Sequence, residues 1–575
     1  MTNALQKVIL SVLRSIVLPV FALVCAVAAA TAVASAASVT NVAAIIASAD
    51  KKNVILHGRV VTMNANFDVL DNGYVWINNG AILAVSDTHA ALENAISLAK
   101  GDIKEIPIVN VDGDILPGMI DLHNHPEYAI YPLLPIQRKY KDRYEWRFYD
   151  DDYQRRITHL NTLMTQAQYF DLGVEVGRYG EMKALVGGTT SLQGSRPNMA
   201  YAKQECLVRN IETSQVAARL AFSRVDIGRD ALEWQRMADE KKRGMMVVHL
   251  AEGVGPRMAG EFEAIKRSGL LGPELIAIHG VGLTAAQFNE MASAGAKLVW
   301  SPLSNFILYG ETAKIAAAKA AGVAISLAPD WAPSGSKSSL GELKVADLVN
   351  KRALNLLFTD RELVAMVTVN PAAAMGWQGR LGVIAAGYLA DIVVVDRLTS
   401  DPYRNLINAI EENIRLVIVR GEALYGDAPL MGVFRQSHAL ELLPLVNKRE
   451  KSMAPNCANT ALPTMSVRDT ATRLQAGLSL SPEYVAKRLS IEQFSRDFLL
   501  CQVDKPADPP SVADARKLLQ CRFQLPFEQT LLSPLTTNGD KDFFTRLLKN
   551  PNLPTYLQAL PDYYGARRST IHASP

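Results

Sequence analysis

The chain has 575 residues, more than a single hydrophobic core usually serves, so two or three structural units are expected. Hydrophobic residues make up 49% and charged residues 20%, a balance that excludes a disordered chain. Lys plus Arg (60) nearly cancels Asp plus Glu (57) and no long basic run occurs, which excludes nucleic acid as a partner and favours a small-molecule substrate.

In chain order, Lys7 and Arg14 precede an apolar stretch from Ser15 to Ala36 that ends in Ala34-Ser35-Ala36, the pattern of a signal peptide over residues 1–36. An exported protein, periplasmic or secreted, is expected. The stretch is about as long as a bilayer is thick, so an uncleaved membrane anchor is the competing reading, and the only one that brings membrane contact. Cys25 follows Ala22-Leu23-Val24 without the small residue that lipid attachment requires. Beyond the leader stand Cys206, Cys457, Cys501 and Cys521, in a compartment where disulfides persist. Cys501 and Cys521 would close a short loop; buried free thiols are the alternative.

From Asn53 to Ser86, β-branched runs are broken by Asp71-Asn72-Gly73 and Asn78-Asn79-Gly80, both hairpin signals. Similar runs recur at Tyr388 to Asp396 and Ile414 to Gly421. Segments 37–112 and 381–431 are therefore expected to pair into one small β unit, with the middle as an insertion. The middle, 113–380, alternates short apolar strands with helical stretches, the signal for βα units on a parallel sheet. Candidate strands are Ile115 to Leu122, Thr189 to Gln193, Ala217 to Ser223, Met246 to His249, Leu275 to His279, Lys297 to Trp300 and Val323 to Ala328. A further strand is sought between Tyr128 and Tyr153, which would complete an α/β fold of the (β/α)8, TIM-barrel type. An open doubly wound sheet would show a Gly-rich turn after its first strand, and none is present. Beyond Gly432, helix-like segments Pro482 to Leu500 and Val512 to Leu519 are separated by Pro-rich links, which predicts a helical extension over 432–575. A homo-oligomer is left open.

Only nine histidines occur, and four close apolar runs. In Gly118-Met119-Ile120-Asp121-Leu122-His123-Asn124-His125 a strand finishes in His-x-His, and residues two apart on a strand point to one side. His249 ends a second strand with Glu252 close behind, His279 ends a third, and Asp330 closes a fourth. Any one of these could be a hydrogen-bonded structural residue, and Asp330 could cap a helix. Their joint occurrence at several strand ends is where such barrels build active sites. His123, His125, His249 and Asp330 are thus candidate ligands for a divalent metal; three imidazoles and a carboxylate suit zinc, with iron or manganese as alternatives.

At these residues the chain resembles the amidohydrolase superfamily, in the branch of cytosine and guanine deaminases and triazine hydrolases. The likeness spans about Asn53 to Tyr425 and also rests on His249-Leu250-Ala251-Glu252, His279-Gly280, Ser301-Pro302-Leu303-Ser304-Asn305, Asn370-Pro371-Ala372 and Gly387-Tyr388-Leu389-Ala390-Asp391. It implies that the split β unit is a small β-sandwich flanking the barrel. It implies further that Asp330, besides ligating, takes a proton from the attacking water. Glu252 would carry that proton to the leaving nitrogen, and His279 would hydrogen-bond the water or the developing oxyanion. Two-metal members carry a carbamylated lysine on a middle strand; between Gly188 and His249 the lysines are Lys203, Lys241 and Lys242, all in helix or loop, so one metal is expected. Tyr128, Gln193, Asn305, Trp331 and Lys344 follow strand ends closely enough to be candidate substrate contacts. The implied activity is hydrolysis of a non-peptide carbon–nitrogen bond, by deamination of a nitrogen heterocycle or opening of a cyclic amide. Removal of halide or a substituted amine from a heteroaromatic ring is the alternative reaction, and an inactive barrel used as a binding scaffold is the alternative of another class. No nucleobase-recognition motif is present between His125 and Gly188.

Overall fold

Strands β1 (Val54–Val61), β2 (Val69–Asn78) and β3 (Ala81–Ser86) form an antiparallel meander, and β4 (Ile108–Pro117) lies parallel to β1. In this computed structural model the described residues are 53–195, 207–214, 216–217, 219–434, 440–443, 449–456, 464–525 and 530–565. The expected leader, with Cys25, lies outside them, as do Lys203, Cys206 and Cys457. The turn between β2 and β3 uses Asn79 and Gly80, both at positive φ (48° and 81°), as a tight hairpin of this twist demands. Asp71-Asn72-Gly73, expected as a second turn, instead runs inside β2. There the register passes from Gly58↔Gly73 to Val60↔Leu70, so β2 carries one extra residue, and the Gly-containing signal marks a bulge.

The expected strand Ile115 to Leu122 is divided at Gly118. Its first part ends β4, and its second is β5 (Met119–Asp121), which belongs to another sheet. A Cβ at Gly118 would lie 2.3 Å from Thr190 Cγ2, so only glycine allows this close crossing. After β5 come β6 (Thr189–Leu192), β7 (Arg209–Asn210), β8 (Leu220–Arg224), β9 (Gly244–Leu250), β10 (Leu275–His279), β11 (Lys297–Trp300) and β12 (Ala324–Leu327), all parallel. Their ladders are β5-β6-β7 and β8-β9-β10-β11-β12. An isolated parallel bridge, Asn124↔Asp330, reaches from the end of β5 to the end of β12, and among the described residues no ladder joins β7 to β8. The strand sought between Tyr128 and Tyr153 is not there: that stretch holds the helix Arg143–Tyr149. The additional strand is β7, whose two residues are too short to give any periodicity. β9 and β10 are buried at every residue, as parallel strands covered on both faces must be.

Strands β13 (Ile392–Val395), β14 (Ile414–Val419), β15 (Glu422–Asp427), β16 (Glu441–Leu443) and β17 (Lys451–Met453) complete a nine-stranded sheet in the order β16-β17-β15-β14-β13-β4-β1-β2-β3. Asp114 to Pro117 of β4 pair with Ile392 to Val395 of β13, so strands from before and after the parallel strands share one sheet. A buried Arg209–Asp391 pair at 2.7 Å ties β7 to this sheet. Because β16 and β17 lie beyond Gly432, the C-terminal region is not wholly helical as expected.

Its helices include Val467–Leu478, Pro482–Arg488, Ile491–Leu500 and Val512–Cys521, and Cys501 is bonded to Cys521. The chain then returns to the parallel strands, where Ser533 is buried. Its N–H donates to the Ile130 carbonyl (2.9 Å) and its carbonyl accepts from the Tyr179 hydroxyl (2.9 Å). Its Oγ meets the amines of Lys183 (3.0 Å) and Lys337 (2.7 Å), and Lys337 also pairs with Asp540 at 2.7 Å. Ser533→Ala would leave two buried amines short of an acceptor, a loss of about 1–3 kcal/mol. Thermal unfolding of this variant is expected to show a lower midpoint than the parent.

Candidate active site

At the C-terminal ends of β5, β9, β10 and β12 the chain brings His123, His125, His249, His279, Glu252 and Asp330 around one point. His123 Nε2 lies 3.2 Å from His249 Nε2 and 3.0 Å from Asp330 Oδ1, and His125 Nε2 lies 3.4 Å from the same oxygen. Two overlapping groups, His123–His249–His279 and His123–His125–Asp330, each have ligand atoms within 4.8 Å of one another. Each ring is oriented from behind. His249 Nδ1 faces the Arg224 carbonyl at 3.0 Å, so it must carry the hydrogen, and its Nε2 lone pair is bare. His123 Nδ1 is 2.8 Å from Ser301 Oγ, and Ser304 donates to Asp330 Oδ2 at 2.6 Å. Burial holds the His123 and His249 imidazoles well below their ordinary range, so protonation does not relieve the crowding of lone pairs. A cation at the common point does, and the donor set fits a divalent metal.

The loop that presents the first two histidines is clamped locally. Asp121 accepts from the His123 N–H (3.0 Å) and the Asn124 side chain (2.8 Å), and burial raises its carboxyl to about 8. His279 and Asp330 both adopt left-handed backbone, with φ of 70° and 68°, and Ala251 beside Glu252 has φ of 52°. Such conformations cost on the order of 1–3 kcal/mol each and cluster at functional sites.

Glu252 Oε2 is 3.5 Å from His279 Nε2, and its Oε1 accepts from the Tyr309 hydroxyl at 2.6 Å. Tyr309 in turn accepts from Trp146 Nε1 at 2.9 Å. Burial raises the Glu252 carboxyl to about 8, against the opposing pull of Arg143. His279 Nδ1 faces Asn305 Oδ1 at 2.8 Å, and Asn305 Nδ2 donates to Thr312 Oγ1 at 3.2 Å. The amide orientation thus gives His279 its hydrogen on Nδ1 and leaves Nε2 as an acceptor aimed at the cluster.

A small cavity of about 110 Å³ opens over the cluster, walled by Tyr128, Trp146, Tyr153 and Trp331. Tyr128 and Trp331 were expected at the site. Trp146 and Tyr153 were not, and neither was Tyr309; they reach the site from a helical segment and from the helix Pro302–Tyr309, where no strand-end signal could find them. Gln193 lines a larger neighbouring cavity. Asn305, expected to contact substrate, is fully buried, bonds His279 and is not part of the cavity wall. Lys344 is also misplaced by the sequence reading: it is buried in the helix Ser339–Arg352 and donates to the Leu340 and Ala409 carbonyls. Lys241 and Lys242 lie on the helix Ala231–Arg243, bonded to Gly269 and Asp239.

Residues 240–424 match the model of the amidohydrolase family. The chain is 29% identical over 227 residues to a 5-methylthioadenosine/S-adenosylhomocysteine deaminase of Pyrococcus abyssi, covering 36% of this chain and 52% of that protein. With the enzyme of the same description from Pyrococcus furiosus it shares 25% identity over 370 residues, 56% of this chain and 86% of that one. The chain thus spans about half of the first relative's length. Among solved structures it has the fold of an adenosine deaminase from Xanthomonas campestris with bound zinc (TM-score 0.51, 19% identity, 65% of this chain and 92% of that one). A triazine hydrolase variant is similar in fold (TM-score 0.53, 18% identity, 65% and 94%). The barrel-type relationship expected from the histidine pattern is therefore found at the level of fold.

The site also depends on charges buried beside it. Arg143 is fully buried and binds Glu261 through two nitrogens (2.7 and 3.0 Å), Glu261 accepts from the Ala251 N–H, and the Arg143 N–H donates to the Glu252 carbonyl. Arg143→Met leaves Glu261 buried without its cation, a loss of about 3–5 kcal/mol. Denaturant unfolding is expected to show it.

Proposed function

We propose that this chain is a metal-dependent hydrolase of carbon–nitrogen bonds other than peptide bonds, deaminating a nitrogen heterocycle or opening a cyclic amide. The observation that carries the reading is the convergence of His123, His125, His249 and Asp330 with Glu252 and His279 under an aromatic-walled cavity. Relatives described as deaminases of 5-methylthioadenosine, S-adenosylhomocysteine and 5'-deoxyadenosine support it. We read the eight parallel strands as a (β/α)8 barrel with the site at its C-terminal mouth, because all six side chains lie at or just beyond the C-terminal ends of strands.

In this reading His123, His125, His249 and Asp330 hold one divalent ion, zinc first and iron or manganese as alternatives. When bound, such an ion acts as a Lewis acid and makes water acidic enough to attack near neutral pH. Asp330, with Oδ2 held by Ser304, accepts the proton of the attacking water. His279 Nε2, an acceptor in the tautomer that Asn305 selects, orients that water rather than a developing oxyanion. Glu252 lines the cavity beside His279, and delivers the proton to the departing nitrogen. The aromatic walls exclude water and suit a planar ring.

We also infer export to the periplasm or exterior. Residues 1–36 support this by their pattern, and the Cys501–Cys521 disulfide fits an oxidising compartment.

A screen of heterocyclic amines and cyclic amides with metal-loaded protein is expected to find ammonia release or ring opening. Activity should be lost with a chelator and restored by zinc, iron or manganese; a protein that holds no metal and hydrolyses nothing after metal addition is an inactive scaffold. Glu252→Gln is expected to keep its metal in elemental analysis while kcat falls about 10²–10⁴-fold.

A further inference from the structure

A second cavity, of about 530 Å³, shares His125, Tyr128, Val225 and His249 with the small cavity over the metal cluster, so a molecule seated at the cluster can extend into it. On its wall stand Glu212, only 9% exposed, and Ser195, 2% exposed. The Glu212 carboxylate is bonded on one side alone. Its Oε1 accepts from the Gly194 N–H (2.8 Å), Gln193 Nε2 (3.2 Å) and the Ser223 hydroxyl (2.6 Å). Among the described residues its Oε2 is buried with no partner, and so is Ser195 Oγ. Three donors on one oxygen fix the carboxylate's direction, and a buried acceptor left without a donor is costly enough to need an explanation. The charge around it is also one-sided. Glu127 and Glu240 share the cavity wall, and the guanidinium of Arg224 spends Nε and Nη2 on Glu240 at 2.7 Å each. An anionic group entering here would meet carboxylates, with no cation uncommitted among those named.

Resting on the hydrolase reading above, we propose that Glu212 Oε2, with Ser195 Oγ, receives a hydrogen-bond-donating arm, hydroxyl or ammonium, attached to the substrate's ring, and that the cavity rejects an anionic arm. The site is coupled to the metal ligands through one residue. Gln193 binds Glu212 through Nε2 and accepts through Oε1 from the N–H of Asn124 (3.1 Å), the residue between His123 and His125. An arm held on Glu212 is thereby placed at a defined distance from the reacting centre.

The test takes whichever ring the heterocycle screen identifies and compares four derivatives on the metal-loaded full chain: bare, hydroxyalkyl, aminoalkyl and carboxyalkyl. The hydroxyalkyl or aminoalkyl form is expected to exceed the bare ring in kcat/KM by about tenfold or more, with the carboxyalkyl form below it. Glu212→Gln and Glu212→Ala should each cut the armed-to-bare ratio about tenfold at unchanged metal content. A larger loss for aminoalkyl than for hydroxyalkyl in Glu212→Gln identifies the arm as cationic, and an equal loss identifies it as hydroxylic. Equal handling of all four derivatives by the parent, or an armed-to-bare ratio unmoved in both variants, overturns the subsite while hydrolysis of the ring itself stands. A parent that hydrolyses no ring at all overturns the hydrolase reading, and the subsite with it.

Discussion

His123 Nε2, His249 Nε2 and Asp330 Oδ1 crowd within about van der Waals distance on the buried floor of a cavity, and the surrounding structure is organised to keep them there. Lone pairs so placed repel unless a cation lies among them. Holding them requires that each ring be gripped at its far nitrogen, by the Arg224 carbonyl for His249 and Ser301 for His123, and that Ser304 fix the carboxylate. It also requires left-handed backbone at His279 and Asp330. The surrounding apolar core, buried on both faces of β9 and β10, supplies the stability that such strain and desolvation consume.

The segment Ser301-Pro302-Leu303-Ser304-Asn305 shows how economically this is done. It turns from β11 into the helix Pro302–Tyr309, and in passing places Ser301 on His123, Ser304 on Asp330 and Asn305 on His279. The end of the same helix supplies Tyr309 to Glu252. One short turn thus orients side chains from three different strands, which no residue distant in space could do with comparable rigidity.

Two further regions hold the outer wall. The segment around Arg143 pins the Ala251–Glu252 turn through Glu261 and contributes Trp146 to the cavity. From the far end of the chain, Ser533 binds Ile130, close behind Tyr128, and Lys337, close behind Trp331. The C-terminal region therefore bonds to the segments that follow Tyr128 and Trp331.

The strand-end histidines, Asp330 and Glu252 were legible in the sequence because an apolar run ending in a polar residue is a local pattern, and the parallel strands that present them follow chain order. The same reasoning expects Asn305 and Lys344 to face the substrate, whereas both are buried away from the cavity walls: proximity to a strand end says nothing about which way a helical residue faces. β7 escaped notice because two residues carry no period, and Asp71-Asn72-Gly73 reads alike as turn or bulge until its partner strand is known. Trp146, Tyr153, Tyr309 and the one-sided bonding of Glu212 belong to contacts between residues far apart in sequence, from 11 positions between Glu212 and Ser223 to 163 between Trp146 and Tyr309. The sequence by itself determined which residue types close the strands and what metal chemistry they suit. Only the tertiary structure decided which of them meet, in which tautomer, and behind what wall, because those depend on packing directions that local pattern does not encode.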